Sequence, residues 1–229
     1  GPNLHWYQEF IRYYYLLIQT VDGSLPRRLP MLLALLCLAV VIGLVLSRGR
    51  IPGAAKGPTT RLVIVVVGTM FFMMFSPTKW THHFGIYAGV AGVIAALAAV
   101  VLSRFALRSP RARTFSTAAV LFLLAISFAG WNAWWYVSSF GIPWWDRTVQ
   151  FKGIEANSIL LAISLVVLAV GVVQSLRHSH RKLQAQEEGT EKEFKQEAAA
   201  KVSRSAGIMS APIAVACAIV VAFSMASFA

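Results

Sequence analysis

The residues of this chain best equipped for chemistry lie in one short block, Ser76-Pro77-Thr78-Lys79-Trp80-Thr81-His82-His83-Phe84-Gly85. Lys79 supplies a point charge, His82 and His83 supply imidazole donors, and Trp80 sets a flat apolar face beside them. That set suits an anionic lipid headgroup, with cation and imidazole for phosphate and indole for a sugar or prenyl chain. It equally suits an ordinary interfacial turn in which Lys and Trp act as anchors. A metal site at His82 and His83 is the weaker reading, because adjacent side chains diverge and no carboxylate accompanies them. Of the nine acidic residues, Glu187, Glu188, Glu191, Glu193 and Glu197 fall in one late stretch. Glu9, Asp22, Asp146 and Glu155 are scattered, and no two share a helix face as a general acid–base pair would. There is no Walker loop, dinucleotide fingerprint or His-Glu-x-x-His.

The elements that must position this block are membrane spans. With 57% hydrophobic and 13% charged residues over 229 positions, the chain is far more apolar than a soluble domain. Apolar runs at about 29–46, 62–75, 84–102, 117–130, 159–176 and 208–228 predict six transmembrane helices, an all-α polytopic fold with little length left for a soluble domain. No run holds a carboxylate or a basic residue. The implied organisation is an interfacial amphipathic segment over 1–28, five helices with short loops over 29–176, a charged connector over 177–206 and a sixth helix over 207–229. In the first segment, Trp6 to Leu17 is too aromatic and polar for the bilayer centre and reads as a helix at headgroup level. Pro26 and Pro30 bracket the entry to the first span.

The net charge of +12 invites a nucleic-acid reading, but the cations sit in the breaks between apolar runs, where orientation signals belong. Fifteen of the 21 Lys and Arg fall in 47–61, 103–113 and 177–206. The positive-inside rule therefore puts those loops in the cytoplasm and the N-terminal segment, 76–83, 131–157 and the C-terminal end on the periplasmic side of a plasma (inner) membrane, with Arg27 and Arg28 a local contradiction. Arg48, Arg50, Arg61 and Arg108 form a cytoplasmic patch without acids, suited to anionic lipid headgroups. The run from Trp131 to Asp146 holds five of seven tryptophans and reads as an interfacial belt or a cleft wall. Cys37 and Cys217 lie inside apolar runs and behave as small hydrophobes. The start at Gly1-Pro2-Asn3 and the stop at Phe228-Ala229 inside an apolar run read as an excised piece of a longer protein.

The block FSPTKWTHHFG with the small residues after it resembles the Emb arabinosyltransferases of mycobacteria, the ethambutol targets. Further matches are WYQE at Trp6 to Glu9, VDGS-x-x-RR ending at Arg28, RGR-x-PG-x-x-x-GP at Arg48 to Pro58 and the Gly-Ile-Pro-Trp-Trp-Asp run ending at Asp146. The resemblance covers nearly the whole chain, loosely after Arg177. It implies a glycosyltransferase of the GT-C type that moves D-arabinofuranose from decaprenylphosphoryl arabinose onto the arabinan of arabinogalactan or lipoarabinomannan. It implies that His82 binds the donor phosphate and Trp80 lines the pocket shared with ethambutol, with Lys79 and His83 beside them. The family's catalytic aspartate lies in an early extracytoplasmic loop without counterpart here, so the isolated piece is expected to be inactive. Implied partners are membrane lipid, a polyprenyl phosphate sugar, the arabinan acceptor, a second copy or paralogue in a dimer and, on the cytoplasmic patch, an acyl carrier protein. A divalent metal is left open. A polyprenyl-lipid transporter would need polar groups along a path through the bundle, and a structural subunit would leave the Lys-Trp-Thr-His-His block without a role.

Overall fold

The computed structural model describes residues 3–49, 51, 53–106, 109–134, 140–190, 192–193, 196 and 211–228, with backbone alone for Arg48 and 103–106. The helices are α1 Phe10–Leu17, α2 Leu25–Arg48, α3 Lys56–Met73, α4 Ala88–Ala106, α5 Pro110–Phe128, α6 Ala156–Glu187 and α7 Pro212–Ser227. Each expected apolar run is the body of one of α2 to α7. Apolar segments of this length have no water to satisfy their backbone groups in a membrane, so they satisfy them internally as helices. Five helices among the described residues are long and apolar enough to cross a membrane. The sixth, α7, has 16 residues and a length of about 24 Å.

Several helices overrun the expected boundaries. Pro26 sits in the first turn of α2, and Pro30 lies inside the helix rather than before it. Helices α2 and α5 thereby include Arg27, Arg28, Arg111 and Arg113, correcting the expectation that spans and cations are separate. Helix α6 takes in the first part of the charged connector and stops at Gly189, whose φ of +71° and the Thr190 N to Ala185 O bond of 2.9 Å form a Schellman-type end. One departure from an all-α chain is the hairpin of β1 Gln150–Phe151 and β2 Ile154–Glu155. Lys152 and Gly153 both have positive φ, as a type I′ turn demands.

The main core joins α2, α4, α5 and α7 through residues such as Cys37, Val41, Ile94, Ala98, Leu124, Phe128 and Ala216. Alanines and glycines dominate α4, and small residues let helices approach closely where apolar transfer gives no gain. Between α5 and α6 the fit is local. Ser164 Oγ donates to Ala118 O at 2.9 Å, and a Cβ on Gly171 would come within 3.1 Å of the Phe115 ring. Helix α3 instead turns Ile64, Val65, Val67, Phe71 and Phe72 outward.

Alternating helix directions bring α1, the 76–87 loop, residues 129–134 and 140–155 and the C-terminal end of α7 to one end of the bundle. Contacts there confirm the grouping. Leu25 N donates to Trp131 O at 2.7 Å, Arg28 Nη1 reaches Ile126 O at 3.0 Å, and Asn132 Nδ2 reaches Ser227 Oγ at 3.1 Å.

Candidate functional site

The loop between α3 and α4 leaves the membrane helix after Met73, is extended at Trp80 and enters a 3-10 helix, Thr81–Tyr87. Extended backbone sends successive side chains to opposite sides. Lys79 and Thr81 are buried, whereas Trp80 is 42% exposed and His82 is exposed. The polar residues of the block thus divide into an inward and an outward set.

Lys79 belongs to the inward set. Its Nζ donates to Met74 O at 2.5 Å and Ser76 O at 2.9 Å and pairs with Glu9 Oε2 at 3.2 Å. An ammonium has three protons, and these partners occupy them. The expected phosphate cation is therefore a buried tie between the loop and the N-terminal segment. Thr81 is held by a second ion pair, since Arg27 Nη1 donates to both Asp22 Oδ1 (2.7 Å) and Thr81 Oγ1 (2.8 Å). This accounts for Arg27, a contradiction to the charge rule: it is neutralised locally and holds the loop.

Arg12 links the loop to α1. The Glu9 carboxylate binds it at Nε (2.8 Å) and Nη2 (3.3 Å), while the same guanidinium reaches Trp80 O at 2.9 Å and Ser76 Oγ at 2.7 Å. His83 is half-buried, with Nδ1 2.8 Å from Arg12 Nη1. A guanidinium only donates, so Nδ1 must accept and the imidazole proton sits on Nε2. Phe84 completes the floor, 5.9 Å beneath the Arg12 guanidinium.

The outward set is Trp80 and His82. Trp80 stacks on Tyr15 of α1 with ring centroids 6.3 Å apart and an 18° interplanar angle. His82 meets His83 edge-on at 4.4 Å. Between α2, α3 and α4 lies a small apolar cleft, lined among others by Leu35, Leu38, Val66, Met70 and Val90, with Tyr87 from the end of the 3-10 helix. An exposed indole and imidazole on one loop can hold a phosphate that carries a sugar or hydrocarbon substituent.

The carboxylates at this end are engaged. Glu9 and Asp22 sit in the networks above, Asp146 binds Arg147 through both oxygens at 2.8 Å, and Glu155 accepts from Thr148 Oγ1 at 2.8 Å. Arg147 holds the Asp146 carboxyl below its ordinary range through this hydrogen bond. Among the described residues no group of three or more His, Cys, Asp or Glu is placed to hold a metal. Of the cationic patch, Arg61 is exposed near the start of α3; Arg50, Arg108 and the side chain of Arg48 lie outside the described residues, as do 135–139 of the tryptophan run. Sequence reasoning missed Arg12 and Asp22. The Glu9 and Arg12 spacing of three within a helical turn was the one local signal.

A bundle of membrane-length helices with a buried ionic network supporting an exposed indole and imidazole at one end defines a segment of a polytopic membrane protein. Its fold matches the cryo-EM structure of arabinosyltransferase EmbB from Mycobacterium smegmatis with a TM-score of 0.65 and 34% identity, over 86% of this chain and 17% of that one. The family described as mycobacterial cell wall arabinan synthesis protein matches residues 1–177. Probable arabinosyltransferase B of Mycobacterium tuberculosis (strain ATCC 25618 / H37Rv) is 46% identical over 79% of this chain and 16% of its own length. Probable arabinosyltransferase C of Mycobacterium tuberculosis (strain CDC 1551 / Oshkosh) is 40% identical over 99% of this chain and 20% of its own. The chain belongs to this Emb arabinosyltransferase family and has the GT-C fold of its membrane region; it spans about a fifth or less of the relatives it matches.

Proposed function

We propose that this segment forms part of the donor-lipid pocket of a plasma-membrane arabinosyltransferase that moves D-arabinofuranose from decaprenylphosphoryl arabinose onto cell-wall arabinan. The observation that carries the reading is the division of the loop: buried Lys79 and Thr81 fix a backbone that turns Trp80 and His82 outward. In this reading His82 donates to the donor phosphate and Trp80 covers the sugar or first prenyl unit. His83 and Lys79 act from behind the surface. Transfer is a displacement at the anomeric carbon in which the acceptor hydroxyl loses its proton to a base and the prenyl phosphate departs. His82 favours the charge on the departing phosphate. The base comes from another part of the full-length enzyme, in keeping with the engaged carboxylates here, and the isolated segment is inactive.

The test is His82→Ala in a full-length arabinosyltransferase carrying this segment. Loss of a charge-assisted contact to phosphate, about 1.5 to 3 kcal/mol, corresponds to roughly a ten- to hundredfold fall in donor use. Protein level should hold, because His82 is exposed. Unchanged transfer from decaprenylphosphoryl arabinose would overturn the assignment. Orientation is tested separately: a cysteine at Lys152 should react with an impermeant reagent in intact cells, and one at Lys182 should be protected. Arg61, with Arg48, Arg50 and Arg108, would then face anionic lipid or a carrier protein in the cytoplasm.

A further inference from the structure

The aromatic N-terminal helix reads from sequence as a membrane-interface anchor, and that reading gives its one cation, Arg12, nothing to do. In the structure the Arg12 side chain is 0% exposed. Its acceptors come from both sides of Trp80. Met73 O (3.4 Å), Ser76 Oγ (2.7 Å) and Thr78 O (3.3 Å) precede it, Trp80 O (2.9 Å) is its own carbonyl, and His83 Nδ1 (2.8 Å) follows. Most are backbone oxygens or short polar side chains, so the guanidinium fixes the path of the loop itself. Glu9 clamps the guanidinium from behind through both carboxylate oxygens and binds Lys79 as well. From α1, a single planar group therefore sets the backbone on which Trp80 and His82 stand.

We infer that Arg12 is a positioning residue for the lipid-phosphate site, acting through the loop backbone to hold Trp80 and His82 toward the donor. The inference rests on the donor-pocket reading above. It also explains why arginine occupies the position. Five N–H groups in a rigid plane can face Glu9, the loop carbonyls and His83 together, whereas a lysine has three protons on a tetrahedral head and cannot address the same plane.

The experiment compares Arg12→Lys, Ser76→Ala and His82→Ala, and each of the first two combined with His82→Ala, in a full-length arabinosyltransferase carrying this segment. Steady-state kinetics are varied separately in decaprenylphosphoryl arabinose and in an arabinan oligosaccharide acceptor. Arg12→Lys is expected to raise the donor KM about tenfold, as loss of charged hydrogen bonds implies, with the acceptor KM unchanged. Ser76→Ala removes one Arg12 acceptor and keeps every charge, so it should raise the donor KM in the same direction by less; it serves where Arg12→Lys fails to accumulate. Each combined variant should raise the donor KM by less than the product of the two single effects, since part of the lost placement acts through His82 and only the share that acts through Trp80 remains. An unchanged donor KM in Arg12→Lys and Ser76→Ala, beside a raised one in His82→Ala, would overturn the positioning role and leave the donor site standing. A parallel fall in both substrates' use together with a lower melting temperature would also overturn it, showing a merely structural arginine. An unchanged donor KM in His82→Ala would remove the donor site and this inference with it.

Discussion

The two ends of the bundle carry charge in opposite ways. At the loop end, Arg12, Arg27 and Lys79 are paired with Glu9 and Asp22 inside the protein, with Arg12 and Lys79 side chains fully enclosed. Arg28 is buried there too, with Leu17 O, Ile18 O and Ile126 O as its acceptors at 2.8 to 3.0 Å. At the other end, Lys56, Arg61, Arg177, Arg181 and Lys182 stand exposed, although Arg113 near the start of α5 is buried. The same residue types therefore fix geometry at one end and leave a soft electrostatic surface at the other. A buried pair loses much when one partner is removed, while an exposed charge contributes little to stability. Enclosed charge is concentrated where the loop presents Trp80 and His82, and the exposed cations of the opposite end need only their sign.

The largest effect should follow from Glu9→Gln, which leaves Arg12 and Lys79 buried without a counter-charge. A loss of about 3 to 5 kcal/mol is expected, read as a lower unfolding midpoint in detergent. A midpoint within experimental error of the wild type would mean that the loop carbonyls alone hold both cations, and the contrast between the ends would weaken. Next is Gly130→Ala. Its Cβ would come within 2.5 Å of Gly23 O and 2.9 Å of both Arg28 Nε and Leu25 N, so backbone must shift at the Arg28 clamp, at a cost of about 1 to 3 kcal/mol. Gly89→Ala, with open space around it, is the control and should be neutral or slightly stabilising. Equal losses at the two glycines would show that helix-end backbone, not close approach at the clamp, sets the cost.

Much of this contrast was hidden in the sequence for a physical reason. The six apolar runs are legible because membrane helices must be long and uninterrupted, and each became a helix. Hydropathy reads any arginine as a break, so α2 appeared to begin at Leu29 although Arg27 and Arg28 lie within it, satisfied by partners that hydropathy does not see. The loop block was legible as a site by residue type. Which of its residues face inward was not, because Lys79 and Arg12 are 67 positions apart in sequence and meet through Glu9 and Ser76. The β hairpin at 150–155 was hidden as well, its Lys-Gly turn being too short a signal beside the tryptophan run.

Smaller effects belong to the opposite end. Arg61→Gln and Arg181→Gln should each change the unfolding midpoint by no more than about 0.5 kcal/mol equivalent, as surface substitutions do. They should instead weaken association of the solubilised protein with vesicles containing anionic lipid, by about 1 kcal/mol per charge near the surface, and less at high salt. A stability loss comparable to that of Glu9→Gln would place a buried network at this end as well.

Asp146 and Arg147 provide the sharpest test, because they form an ion pair at the loop end that is not buried. Their side chains are 38% and 58% exposed, and the geometry is bidentate, with both carboxylate oxygens accepting at 2.8 Å. If burial governs, Asp146→Asn should leave the unfolding midpoint unchanged at neutral pH despite that geometry. The pH dependence has a definite sign. Arg147 lowers the folded-state carboxyl below its ordinary value of 3.8, so any stabilisation is complete above that value and disappears as pH falls through the lowered one. Solvent and salt screen the pair, so wild type and Asp146→Asn should show nearly superimposable acid limbs. A marked divergence below pH 4, or a neutral-pH loss like that of Glu9→Gln, would show that pair geometry rather than enclosure determines what an ion pair contributes at this end. The network around Arg12 would then owe its rigidity to bidentate binding by Glu9 more than to its burial beneath the loop.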